Sequence, residues 1–312
     1  MASNQTLIEK ADLSVSNLVS GGKLYPKQAK EFMELLILEA VLMGMCTMVP
    51  MAGPTYEISK MGFTGQVLRP GTESTALPLA DRSKPDLDKV LLETTEYIAE
   101  ARIPYNVLED NIANGTFNDY VMRLLAKALS RDLESLIING DTTSSNTLLK
   151  SKDGILKQLT SLVVNAGGVR LTKNVLKTML QTMPSQYLRA QKNLAFITSK
   201  NAAIDYADSL SNRQTPLGDR VLVEAAMAEY SGYPVIPIPI FPENLGGGTN
   251  MTNVVLCDPK NIHVGIQREI RMETDKDISA REYIVVATVR MDVKWAHEPA
   301  SVKATNILAS PG

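Results

Sequence analysis

Few residues in this chain combine the types and spacings that catalysis or metal binding requires. There are two histidines, His263 and His297, and two cysteines, Cys46 and Cys257. His263 falls on the polar side of a strand-like run, and His297 follows Trp295 just before Glu298-Pro299. Neither has a second or third ligand at metal-binding spacing. The cysteines stand far apart and read as small buried hydrophobes in a reducing compartment. A Ser-His-Asp relay needs its nucleophile on a strained turn, and no G-x-S-x-G is present. Gly167-Gly168 and Gly246–Gly248 match neither a dinucleotide nor a phosphate-loop fingerprint, so they read as flexible loops. Asp275, Lys276 and Asp277 lack the glycine and distal glutamate of a calcium loop. Glu109 and Asp110 are adjacent and point apart rather than at one bond. With no basic cluster beside either cysteine to activate it, the sequence predicts no enzyme, no cofactor and no metal.

What remains is architecture. Hydrophobic residues make up 44% and charged residues 21%, which fits a folded chain. Lys plus Arg number 32 against 34 Asp plus Glu, a net charge of -2, which argues against a protein that grips phosphate backbones. Aromatics at 5% disfavour a stacking platform for single strands. The first residues lack the charged-then-apolar pattern of a signal peptide. The most apolar run, residues 35–51, is interrupted by Glu39 and ended by Pro50, short of the ~20 residues a bilayer needs. It belongs to an expected helix over residues 26–45 that is apolar on almost every face and must be covered by protein. No membrane association is expected.

Residues 56–68 and 87–103 read as two extended stretches around a turn-rich tip containing Pro70, Gly71, Pro78 and Pro85. Such a two-stranded arm is marginal alone and has to lie on something else. A long amphipathic helix follows over residues 116–139. Its apolar stripe includes Phe117, Leu124, Leu133 and Ile137, its polar face carries Arg123, Lys127, Arg131 and Glu134, and Asn139-Gly140-Asp141 suits a left-handed stop. Beyond it the pattern predicts an amphipathic helix over 172–188, a buried strand over 194–198, a helix over 201–210, and an extended proline-rich run over 233–240 at an edge or bulge. A strand over 254–257 comes next. Two alternating runs, 262–272 and 285–295, read as a long antiparallel hairpin packed on the helix, with Trp295 in the shared core.

In this order the elements resemble the major capsid proteins of tailed bacteriophages, the Hong Kong 97-like fold. The residues that carry the resemblance are LESLIINGD (133–141), Asp153-Gly154-Ile155-Leu156, Gly232-Tyr233-Pro234-Val235, VVLCDPKNIHVGIQREIRMETD (254–275) and the closing YIVVATVRMDVKWAHEPASV (283–302) with its R-x-D and terminal Pro-Ala. The resemblance implies an α+β chain in four parts. Residues 1–54 form an amino-terminal arm and 55–104 an extended β-loop. Residues 105–154 with 258–312 form a peripheral domain around the spine helix, and 155–257 a mixed α/β axial domain. It implies a subunit that self-assembles as hexamers and pentamers into an icosahedral shell around double-stranded DNA, bound without specificity. A separate scaffolding protein, a portal and a decoration protein are the implied partners. The place would be the virion, after assembly in the host bacterial cytoplasm. Arg69, Arg82, Lys84 and Asp86 are the expected polar contacts of the loop with a neighbour, and no covalent crosslink through Lys84 is expected. Two alternatives accompany this reading: an encapsulin-type compartment enclosing a cargo enzyme, and a soluble α/β enzyme with an unrecognised site.

Overall fold

The computed structural model describes residues 40–63, 66–71, 76, 78–104, 117–190, 193–211, 228–245 and 250–309. The strands are β1 (Thr47–Pro50), β2 (Thr55–Gly62), β3 (Asp86–Glu93), β4 (Thr95–Pro104), β5 (Val163–Arg170), β6 (Ala195–Thr198), β7 (Glu229–Tyr230), β8 (Tyr233–Pro237), β9 (Met251–Cys257), β10 (Ile262–Asp277), β11 (Glu282–Trp295) and β12 (Val302–Leu308). The helices are α1 (Phe117–Asn139), α2 (Ile155–Gln158), α3 (Lys173–Thr182), α4 (Ser185–Ala190) and α5 (Lys200–Ser211).

Two cores organise them. In the first, a four-stranded sheet in the order β1-β10-β11-β4 packs on α1. Alternation along β11 puts Val285, Ala287, Val289, Met291, Val293 and Trp295 on the helix side, where they meet Leu133, Ile137 and Ile138. The Trp295 indole N–H donates to the Ile155 carbonyl at 3.1 Å, so the ring's polar edge is satisfied while its body is buried. The second core lies under a six-stranded sheet, order β5-β12-β9-β6-β8-β7, against α3 and α5. The expected helix over 172–188 is broken by Pro184 into α3 and α4. The proline-rich run is β8, parallel to β6 on one side. On the other side the two-residue β7 pairs with it, through a turn in which Ser231 and Gly232 both have positive φ.

Three expectations are corrected. Residues 302–308 belong not with the peripheral part but with the six-stranded sheet, where β12 pairs parallel to β5 and antiparallel to β9. A shared bulge hides this pairing from the sequence. Gly167, Gly168 and Asn306 all have positive φ there, and both registers shift before Ile307. Over 41–45 the chain forms turns rather than helix, and the remainder of the expected amino-terminal helix, 26–39, lies outside the described residues. Gly140 does not stop α1 by a left-handed conformation, because its φ is not positive. It is required by close approach: an added Cβ would meet the Lys152 carbonyl, the Gly154 nitrogen and the Leu136 carbonyl. Gly154 is the matching half, its N–H donating to the Gly140 carbonyl at 2.8 Å. The two glycine motifs around α1 are thus one backbone-to-backbone contact.

Candidate assembly surfaces

The ribbon β2–β3 is a two-stranded antiparallel sheet, joined in register from Thr55↔Glu93 to Gly62↔Asp86. Glu57, Met61, Leu87, Lys89 and Leu91 share one face. On it Lys89 Nζ meets Glu57 Oε2 at 2.6 Å, and Met61 stands opposite Leu87. Met61 is 72% exposed, Leu87 69% and Leu68, in the loop beyond, 84%. Seven of the fourteen exposed large apolar side chains among the described residues fall within residues 55–93, so the uncovered apolar surface is concentrated on this arm. The other face carries Lys60 and Asp88, 3.7 Å apart, and roofs a cleft of about 300 Å³ whose floor includes Lys294, Trp295 and His297.

The ribbon's root is built differently from its tip. Leu92 and Met51 are buried against Gly265, whose missing side chain lets them approach. The strand β4 pairs with β11 only as far as Thr95↔Met291. One residue further along β11, Asp292 is 2% exposed, and its Oδ2 accepts the Glu93 N–H at 2.7 Å. The Thr94 N–H donates to the Pro54 carbonyl at 2.9 Å and its hydroxyl to Gln267 Oε1 at 2.8 Å. Lys152 Nζ stands 3.9 Å from Asp292 Oδ1, which has no hydrogen-bond partner among the described residues.

A second buried carboxylate fixes the start of the described chain. Glu134, expected on the polar face of α1, is 2% exposed, and its Oε1 accepts the Leu42 N–H at 2.5 Å. Burial pushes its carboxyl up, opposed by that hydrogen bond. Burial and the nearby Glu134 push the Cys46 thiol up to about 12, and burial pushes Cys257 well above its usual range, so both thiols stay protonated and inert.

Neither histidine is arranged for catalysis. His297 Nε2 lies 2.7 Å from the Tyr187 hydroxyl, with the rings edge to face at 5.3 Å. Burial first and Lys60 second pull both imidazoles below their usual range, leaving them neutral at pH 7. Among the described residues no group of three His, Cys, Asp or Glu side chains could hold a metal ion, and no helix is long and apolar enough to cross a membrane.

Of the loop residues singled out by sequence, Arg69 bonds within its own loop, to the Gln66 carbonyl at 3.2 Å, and pairs with Asp81 at 3.5 Å. Arg82, Lys84 and Asp86 are exposed on the returning side of the tip. Of the three residues expected in the core beneath the spine helix, Trp295 lies in the first core at 5% exposure. Phe117 opens α1, and its side chain lies outside the described residues. Leu124 is 48% exposed and is not a core residue. The buried line of α1 runs through Ala126, Ser130, Leu133 and Ile137, and a position two residues before Ala126 is turned about 200° away from it. Sequence reasoning missed Asp292 and Glu134 because both are buried by partners remote in the chain. The R-x-D motif was the only local signal for Asp292.

The family model described as the phage capsid family matches residues 21–306. A protein of Bacillus subtilis (strain 168), YqbE, described as a prophage capsid protein, is 35% identical over 308 residues, covering 97% of this chain and 99% of its own. Among solved structures, the capsid of a native GTA particle superposes with a TM-score of 0.65 at 15% identity, covering 97% of this chain and 96% of that one. The SrpI encapsulin of Synechococcus elongatus PCC 7942 does so with a TM-score of 0.58 at 11% identity, covering 100% and 98%. At such identities the two structures establish the fold, which is α+β and Hong Kong 97-like.

Proposed function

The chain belongs to the phage capsid family, and on that premise we propose that it is a major capsid protein whose copies tile an icosahedral shell around double-stranded DNA. Its role is structural rather than enzymatic. The observation that carries this reading is the ribbon: a two-stranded sheet with open edges, beside which Met61, Phe63, Leu68 and Leu87 are left exposed among the described residues. A neighbouring copy covers them, and since ribbon and receiving surface are different patches, the contacts run head to tail and close into pentamers and hexamers. Arg69, Arg82, Lys84 and Asp86, at the loop around the ribbon's tip, supply polar contacts to that neighbour. A net charge of -2 suits a container that must admit and release a polyanion without gripping it. A scaffolding protein, a portal and a decoration protein complete the set of partners, with assembly in the host bacterial cytoplasm and residence in the virion.

The shared fold leaves an encapsulin-type compartment as the rival. The 35% identity over nearly the whole length of a prophage capsid protein favours the capsid. The test is the particle's content. Nuclease-treated particles purified from the native source should retain protected double-stranded DNA, whereas a single co-purifying enzyme with no nucleic acid would refute the capsid reading.

A further inference from the structure

The subunit spends a buried charge at the point where the ribbon leaves the body, and the gain is geometric. β4 stops pairing with β11 at Thr95↔Met291, and Asp292 then sits opposite Gly265 of β10 with no β4 residue beside it. The departing chain still has an amide to satisfy, that of Glu93, and the Asp292 carboxylate takes the place of the missing ladder carbonyl at 2.7 Å. The carboxylate is 2% exposed; among the described residues its second oxygen accepts no hydrogen bond, and Lys152 Nζ stands 3.9 Å from it. For stability this is a costly arrangement, since taking a carboxylate out of water is repaid only when its remaining lone pairs find partners. For direction it is a good one: a short charge-assisted bond fixes the end of β3 at a single point. Thr94, bonded to Pro54 and Gln267, fixes the next residue.

We propose that Asp292 is a positioning residue for assembly: by accepting the Glu93 N–H it sets the angle at which the ribbon leaves the sheet, and so where the tip meets the next subunit. The assembly consequence rests on the shell reading, while the pinning itself is a property of the single subunit and is measured there. The test uses the full-length chain with Asp292→Leu, Asp292→Asn and wild type. Thermal melting is measured with hydrogen–deuterium exchange of peptides covering residues 86–95 and, as reference, 251–257 of β9.

A positioning role predicts that Asp292→Leu, which leaves the Glu93 N–H without its acceptor, melts no lower than about 6 °C below wild type, yet exchanges about tenfold to a hundredfold faster at the ribbon root with β9 unchanged. Asp292→Asn keeps an acceptor for Glu93 and should exchange within about threefold of wild type. Where leucine is not accommodated, Asp292→Ala gives the same reading. Micrographs of Asp292→Leu should show open or irregular shells where wild type gives uniform ones. The proposal is overturned if Asp292→Leu exchanges like wild type, if its faster exchange extends equally to β9, or if Asp292→Asn is as loose as Asp292→Leu. Wild-type chains that form no shells would fault the capsid reading, and the exchange ratio would still decide the role of Asp292.

Discussion

Met61 and Leu87 face each other near the ribbon's end at 72% and 69% exposure, and they separate folding from assembly. Replacing both by threonine keeps strand propensity and removes apolar surface that the free subunit already leaves in water. Its melting temperature should therefore move by no more than about 1–2 °C. In a shell the same surface is covered. Full burial of a Met or Leu side chain contributes ~1.5–3 kcal/mol; most of that is still to be gained here, and threonine retains part of it. The double variant should then lose roughly 1.5–3 kcal/mol of contact energy per subunit. At 1.4 kcal/mol per factor of ten, the subunit concentration at which particles first form should rise about 10- to 100-fold. Sedimentation velocity over a concentration series reads that onset directly. An unchanged onset would show that the tip touches no neighbour. A large fall in melting temperature with the onset following it would show that these side chains belong to the subunit's own core.

Other outcomes follow from the same geometry. Gly154→Ala places a Cβ 2.7 Å from the Gly140 nitrogen and the Ile137 carbonyl, backbone atoms that cannot give way, so calorimetry should show a loss of about 3 kcal/mol or more. Leu124→Asp should cost the free subunit less than about 0.5 kcal/mol in urea unfolding, because Leu124 lies on the outer face of α1. Glu134→Gln keeps an acceptor for Leu42 and removes a buried charge. The native carboxyl titrates above its unfolded value, so native chains hold more protons in that window, and the wild type loses stability as pH rises through it. The variant's melting temperature should exceed that of wild type at pH 7–8 and converge with it near pH 4. A gap that widens on acidification would contradict the assignment.

The parts of the fold set by local periodicity were legible. The 3.6-residue period of α1 marks the helix, and the strict alternation of β11 names its own buried face. The antiparallel hairpin also follows from the short turn between β10 and β11. What the sequence concealed depends on partners remote along the chain. Glu134 looks like a surface residue until Leu42, 92 positions away, donates its amide. Asp292 lies 199 positions from Glu93, and only their meeting reveals where the ribbon is pinned. β5 and β12 pair through a bulge of Gly167, Gly168 and Asn306 that erases the alternation on which strands are recognised. Leu124 misled because apolar residues recur around much of α1, and its place among them does not reveal that it is turned away from the covering sheet. Of the candidate surface, the arm itself was visible as two extended runs around a turn-rich tip. The location of its apolar side chains on one uncovered face needed the register.

The most direct test is cryo-electron microscopy of the purified full-length chain, with its partners supplied if needed. The account predicts closed shells in which the face bearing Met61 and Leu87 is covered by an adjacent copy. A well-folded monomer that stays monodisperse at high protein concentration, with or without those partners, would contradict it.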